Sequence, residues 1–152
     1  MTNDEIQDFL EEGRKVLHVA TLGKDGSPHQ APMWFTMGDG KIVFRSFTKS
    51  QKIVNLNRDP RLSVLAETGE AYSELKGVMI RGTATLVTDP EYVLSIDGAL
   101  AARYPMVGAE PMTLDSEALE AAFGRFAAKN TAVIVEPKHI SSWDHAKLGG
   151  AY

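Results

Sequence analysis

The sequence contains no cysteine. That excludes disulfides, thiolate catalysis and cysteine-ligated metals, although it does not settle the compartment. Histidine offers no substitute. His18, His29, His139 and His145 lie far apart, and no two stand four residues apart, so a zinc-type ligand pair is absent. Glycine-rich phosphate fingerprints are missing too. Neither GxGxxG nor GxxxxGK[ST] occurs, which argues against a dinucleotide fold or a P-loop. No serine sits in the Gly-x-Ser-x-Gly setting of a hydrolase. No apolar run approaches membrane-spanning length. The stretch MTNDEIQDF is acidic and amphipathic, unlike a signal peptide, so cytoplasm is the default expectation. Net positive charge is lacking: the formal charge is −4, whereas a nucleic-acid binder wants a basic footprint. What remains is 152 residues, 43% apolar and 24% charged, the mixture of one soluble globular domain spanning 1–152.

The chemistry concentrates in KIVFRSFTKSQK, residues 41–52. It opens as a strand, with Ile42 and Phe44 on one face and Val43 and Arg45 on the other. Ser50 then suits a helix N-cap, and QKIVNLN follows with Ile53 and Leu56 three apart. A helix N-terminus presents unpaired N–H groups and partial positive charge, which suits an anion. Arg45, Lys49 and Lys52 add full charges, and Ser46, Thr48 and Ser50 add hydroxyls. A phosphate is the natural guest; a solvated loop is the plain alternative.

Along the rest of the chain, Thr2 and Glu5 have capping-box spacing, predicting a helix over 3–12 that ends at Gly13. Strands are expected over 14–21 and 27–37, joined by an Asp25-Gly26 turn. Pro28 and Pro32 confine the second of these to an edge, a bulge or bent pairing. Gly38-Asp-Gly40 turns the chain into the 41–47 strand. Asp59-Pro60 ends the short helix. Strands follow at 61–68 and 75–87, the latter with Gly77 and Gly82 marking a bulge or a barrel corner. A helix from Pro90 to about Tyr104 sets Val93, Ile96, Leu100 and Tyr104 on one face. After a loop over 105–114, a helix over 116–126 places Leu119, Ala122, Phe123 and Phe126 at core spacing. Two last strands, 130–136 and 139–143, are separated by Pro137-Lys138. Short strands joined by tight turns are antiparallel, and such a sheet tends to close on itself. The expected class is mainly β with inserted helices.

The order of these features resembles the split β-barrel flavin-binding family that includes pyridoxamine 5′-phosphate oxidase, and within it the branch of actinobacteria that uses the deazaflavin coenzyme F420. The resemblance rests on VATLGKDGSPHQAPMWF, KIVFRSFTKSQKIVNLNRDPRLSV, KGVMIRGTATLV and the closing WDHAKLGGAY. It implies a homodimer with cofactors in grooves between the subunits. It implies a phosphate met by Arg45, Ser46, Ser50, Gln51 and Lys52, and a ring lying along Ala31, Pro32, Met33 and Trp34. The implied activity is hydride transfer between reduced F420, an 8-hydroxy-5-deazaflavin, and a small electron-poor acceptor. Solvent, Tyr72 or Lys147 could deliver the proton, and Lys49, Lys41 or Lys24 could meet the anionic tail of F420. The alternatives are an FMN-binding reductase or oxidase of the same fold, and a non-enzymatic carrier of a cofactor or tetrapyrrole. The chain lacks the paired arginine and histidine with which authentic pyridoxamine phosphate oxidases end, so vitamin oxidation is not the expected activity.

Other residues have plainer expectations. Trp34 and Trp143 either line an aromatic groove or pack in the core or interface, and a shared role is expected, packed on one side and touching ligand on the other. Met33, Met79 and Met112 are core fillers by type. The acidic residues of the first helix form a solvated face. Arg81 either pairs with a carboxylate or points to a groove.

Overall fold

The computed structural model describes residues 1–105 and 108–149. Seven strands form one antiparallel sheet: β1 Leu17–Leu22, β2 Pro28–Met33, β3 Thr36–Gly38, β4 Lys41–Phe47, β5 Arg61–Thr68, β6 Lys76–Val87 and β7 Asn130–Asp144. Four α-helices complete it: α1 Asn3–Glu11, α2 Gln51–Arg58, α3 Pro90–Arg103 and α4 Ser116–Ala127. The strand order is β2-β1-β5-β6-β7-β4-β3. The two edge strands are therefore consecutive in the chain, linked only by Trp34 and Phe35. So short a link between opposite edges requires the sheet to curl, giving the split half-barrel.

The link also breaks the strand expected over 27–37. Phe35 is fully buried in the barrel core, and the chain turns there to let it in. Pro28 and Pro32 lie on an edge strand, where a missing N–H costs no ladder bond. The expected 14–21 strand begins only at Leu17, because Lys15 turns in to donate from Nζ to Glu12 O. Asp39 and Gly40 both have positive φ, 49° and 72°, which makes the β3–β4 connection a two-residue turn of the hairpin-favoured hand.

The two terminal strands expected around Pro137-Lys138 are one continuous strand. The register shifts between Arg81 and Gly82, so Arg81 faces His139 and Gly82 faces Pro137, with Lys138 the extra residue. The bulge admits a proline into a central strand. Gly82 is required there, since a Cβ would stand 1.9 Å from Glu136 O. Gly77 instead makes room for the ring of Trp143.

The barrel core contains Leu17, Val19, Phe35, Ile42, Phe44, Val64, Val78 and Val133, closed by Phe9 and Leu10 of α1 and Ile53 and Leu56 of α2. A second core lies outside the barrel. Val43 and Ala132 of the sheet meet Val93, Ile96, Leu100 and Tyr104 of α3, the stripe expected from the sequence. The helix expected over 116–126 forms as α4, but its apolar spacing does not make it a core helix. Only Ala127 of that helix is buried, Ala122 is exposed and Phe126 is 49% exposed. The helix packs on α3 through Leu119 against Gly98, and its aromatic end has no cover within the described chain.

Candidate functional site

Adjacent residues of a strand leave by opposite faces, and this divides the expected anion site in two. Ser46 leaves β4 toward α2. Its Oγ lies 3.0 Å from Ser50 Oγ and accepts from Lys52 Nζ at 3.1 Å. Ser50 occupies the N-cap of α2, yet its side chain makes no capping hydrogen bond. The first-turn N–H groups of that helix are thus not used up by their own cap. No carboxylate forms an ion pair with Lys52 among the described residues, and partial burial pulls its pKa below the ordinary lysine value. Two hydroxyls, one ammonium without an ion-pair partner and a helix N-terminus make a donor set that fits a phosphate group.

Arg45 leaves β4 toward α3. Its Nε donates to Asp97 Oδ1 at 2.5 Å. Asp97 is fully buried, and its pKa is raised because burial outweighs the opposing Arg45 charge. The other expected residues disperse. Thr48 Oγ1 lies 2.9 Å from Thr131 Oγ1, and Gln51 donates to Asn55 Oδ1 at 2.9 Å within its own helix. Lys49 is exposed beyond the serine cluster.

Two contiguous cavities flank Arg45. One, of about 390 Å³, is lined by Val16, Pro32, Met33, Trp34, Arg45 and Leu100. The other, of about 460 Å³, is lined by Met33, Arg45, Ser46, Phe47, Phe123, Phe126 and Asn130. The Trp34 indole stacks on Tyr104 at 5.0 Å and 7°, presenting a flat apolar wall that is 41% exposed. Ala31 is half-buried on β2 beside this wall, paired with Val19. A planar ring with a phosphate on a flexible stem matches this combination of wall, cation and donor cluster.

Several expected participants lie elsewhere. Trp143 packs over Gly77 and lines neither cavity. Lys147 pairs with Glu5 at 2.5 Å, the Tyr72 ring lies tilted against His145, and neither lines these cavities. Lys41 pairs with Glu136 at 2.6 Å. Arg81 borders a separate cavity of about 540 Å³ on the β1–β5–β6 face. Gly150 to Tyr152 of the closing motif lie outside the described residues. Asp97 was missed by sequence reasoning, though it had a signal: it is the one carboxylate within the apolar stripe of α3. Val16, Phe123 and Phe126 were missed as lining residues because cross-chain neighbours are not visible in a linear pattern.

A family model described as pyridoxamine 5′-phosphate oxidase matches residues 2–141. A conserved hypothetical protein from Mycobacterium tuberculosis is 36% identical over 100% of this chain and 90% of its own, with a TM-score of 0.87. The chain belongs to the pyridoxamine 5′-phosphate oxidase family. Its fold recurs in an F420 reductase, 23% identical over 88% of this chain and 94% of the other, TM-score 0.63. It recurs also in a heme-binding protein from Mycobacterium smegmatis, 17% identical over 96% of this chain and 59% of the other, TM-score 0.61. No curated protein sequence matches the chain significantly. Flavin-type cofactors are the ligands of this family, and the donor set at Ser46, Ser50 and Lys52 fits their phosphate.

Proposed function

We propose that this protein is an F420-binding oxidoreductase that passes hydride between the reduced deazaflavin and a small electron-poor organic acceptor. The observation that carries the reading is the carboxylate-free cluster of Ser46, Ser50 and Lys52 at the N-terminus of α2, whose Ser46 lines a cavity that shares Met33 and Arg45 with the cavity of the Trp34 wall. The F420 reductase that shares the fold, and the sequence resemblance to that branch, support the choice of deazaflavin. The bound cofactor supplies the hydride chemistry. The chain's residues bind and orient it. Lys52 and the two serines hold the phosphate, with Gln51 beside them at the helix start. Pro32, Met33 and Trp34 exclude water from one side of the ring, and Lys49 stands beyond the cluster as an exposed charge for an anionic tail. The cavities are open grooves, and the proposed assembly is a homodimer whose second subunit closes them.

FMN is the second reading, favoured by the family itself, because ring, ribityl chain and phosphate are common to both cofactors. A carrier role is the third, and a heme-binding protein that shares the fold supports keeping it. Titration of F420 and FMN by quenching of the intrinsic tryptophan fluorescence, at low and high salt, tests the assignment. The expected result is tighter F420 binding at low salt, with the margin narrowing as salt rises. Tighter FMN binding at both salts overturns the deazaflavin assignment.

A further inference from the structure

The pairing of Arg45 with Asp97 is not the one that stability alone would select. Arginine and carboxylate ordinarily meet as a two-pronged fork. Here only Nε donates, to Oδ1. Oδ2 is buried without a hydrogen-bond partner. Among the described residues neither Nη group of Arg45 has one either. Closing the fork would satisfy Oδ2 and add a second charge-assisted bond, and a buried polar atom left unpaired calls for a reason. The reason lies in what the open edge faces. Arg45 is the cation common to both cavities, and its side chain is 28% exposed to them.

We propose that Asp97 is a positioning residue. It grips the Arg45 guanidinium by Nε alone, so that the two Nη groups are presented to a carbonyl-bearing or anionic edge of the ring of a planar ligand beside Pro32, Met33 and Trp34. This rests on the cofactor-binding reading and adds a division of labour to it. Ser46, Ser50 and Lys52, on the α2 side of β4, read the phosphate. Arg45, on the α3 side and held by α3 itself, reads the ring. The carboxylate in an otherwise apolar helix face of Val93, Ile96, Leu100 and Tyr104 then has a role.

Matched ligands separate the two halves. FMN is compared with riboflavin, and F420 with the ribityl deazaflavin that lacks its phosphate and the tail beyond it, each titrated by tryptophan quenching against the wild type, Asp97→Asn and Lys52→Ala. Asp97→Asn is expected to weaken the phosphorylated and phosphate-free forms by the same factor, about tenfold, the scale of one charge-assisted bond. Lys52→Ala is expected to weaken only the phosphorylated forms. Wild-type affinity of Asp97→Asn for both forms overturns the positioning role while leaving the cofactor reading intact, as does a loss confined to the phosphorylated form. A wild-type protein that binds none of the four overturns both. Should Asp97→Asn fail to fold, Arg45→Met combined with Asp97→Leu removes the pair whole and carries the same expectation.

Discussion

Lys52 is the residue on which the phosphate site depends most directly. Its ammonium touches only the Ser46 hydroxyl and faces no carboxylate among the described residues, so its removal leaves no stranded partner. Lys52→Ala is expected to cost about 1.5–3 kcal/mol of binding, roughly ten- to hundredfold in affinity, with an unchanged unfolding midpoint. Arg45→Ala behaves differently, because it abandons Asp97 in the interior. Breaking a buried pair from one side costs about 3 kcal/mol at the lower end of the usual range, which suits a partly exposed arginine. Denaturant unfolding is expected to show that loss, and to show part of it restored when Asp97→Asn is added. Asp97 also carries a pH signature. Its folded pKa is raised by burial, so the native state holds that proton more tightly than the unfolded chain does. Its contribution to stability therefore declines as pH rises from the unfolded carboxylate value of about 4 through the raised native value. The stability difference between Asp97→Asn and wild type should move in favour of the variant as pH rises from about 4. Movement the other way would mean that the Arg45 charge outweighs burial.

At the scale of elements, the bulge in β7 concentrates a steric demand on one position. Gly82→Ala drives a Cβ into the Glu136 carbonyl, a backbone atom that cannot swing aside, and a loss of about 3 kcal/mol in denaturant unfolding is expected. Elements with period and punctuation of their own were legible in the sequence. The capping box of Thr2 and Glu5, the Asp39-Gly40 turn and the α3 stripe all follow from local chemistry, and all are present. What could not be read was the outcome of competition between distant residues. Burial of Phe35 interrupts a run that otherwise alternates like one strand, and the Gly82 bulge lets Pro137 remain inside one. The same limit applies at the site. SFTKSQK suggests one cluster of donors, but strand alternation sends Arg45 and Ser46 apart, and only the fold supplies Asp97 and Lys129 O as partners for Arg45 and Thr48 N. In α4, apolar spacing identified a helix but not what covers it.

The whole molecule presents Val16, Trp34, Phe47 and Phe126 as exposed apolar side chains, each lining the cavities beside Arg45. Apolar area gathered around a groove in this way marks a surface that another body covers. A homodimer mass by light scattering at micromolar protein is the expected result, and Phe126→Ser is expected to weaken association while leaving the fold intact. A monomer mass for the wild type would remove the proposed shared site. The split in the barrel has a further consequence, for local unfolding. Among the described residues no strand pairing joins β2 to β3, and one side chain from the end of α3 ties the link between them to the end of α1. Arg103 donates to the carbonyls of Leu10, Gly13 and Phe35 and lies 4.4 Å over the Phe35 ring. A lysine cannot span that fork, since its three donors radiate from one atom. In Arg103→Lys, amide hydrogens of α1 and of the 34–35 link should therefore exchange faster while those of β5, β6 and β7 keep their protection. The first sixteen residues would then open and close more readily as a unit of their own, held to the barrel by the buried Phe9 and Leu10, the Glu5–Lys147 pair and this guanidinium.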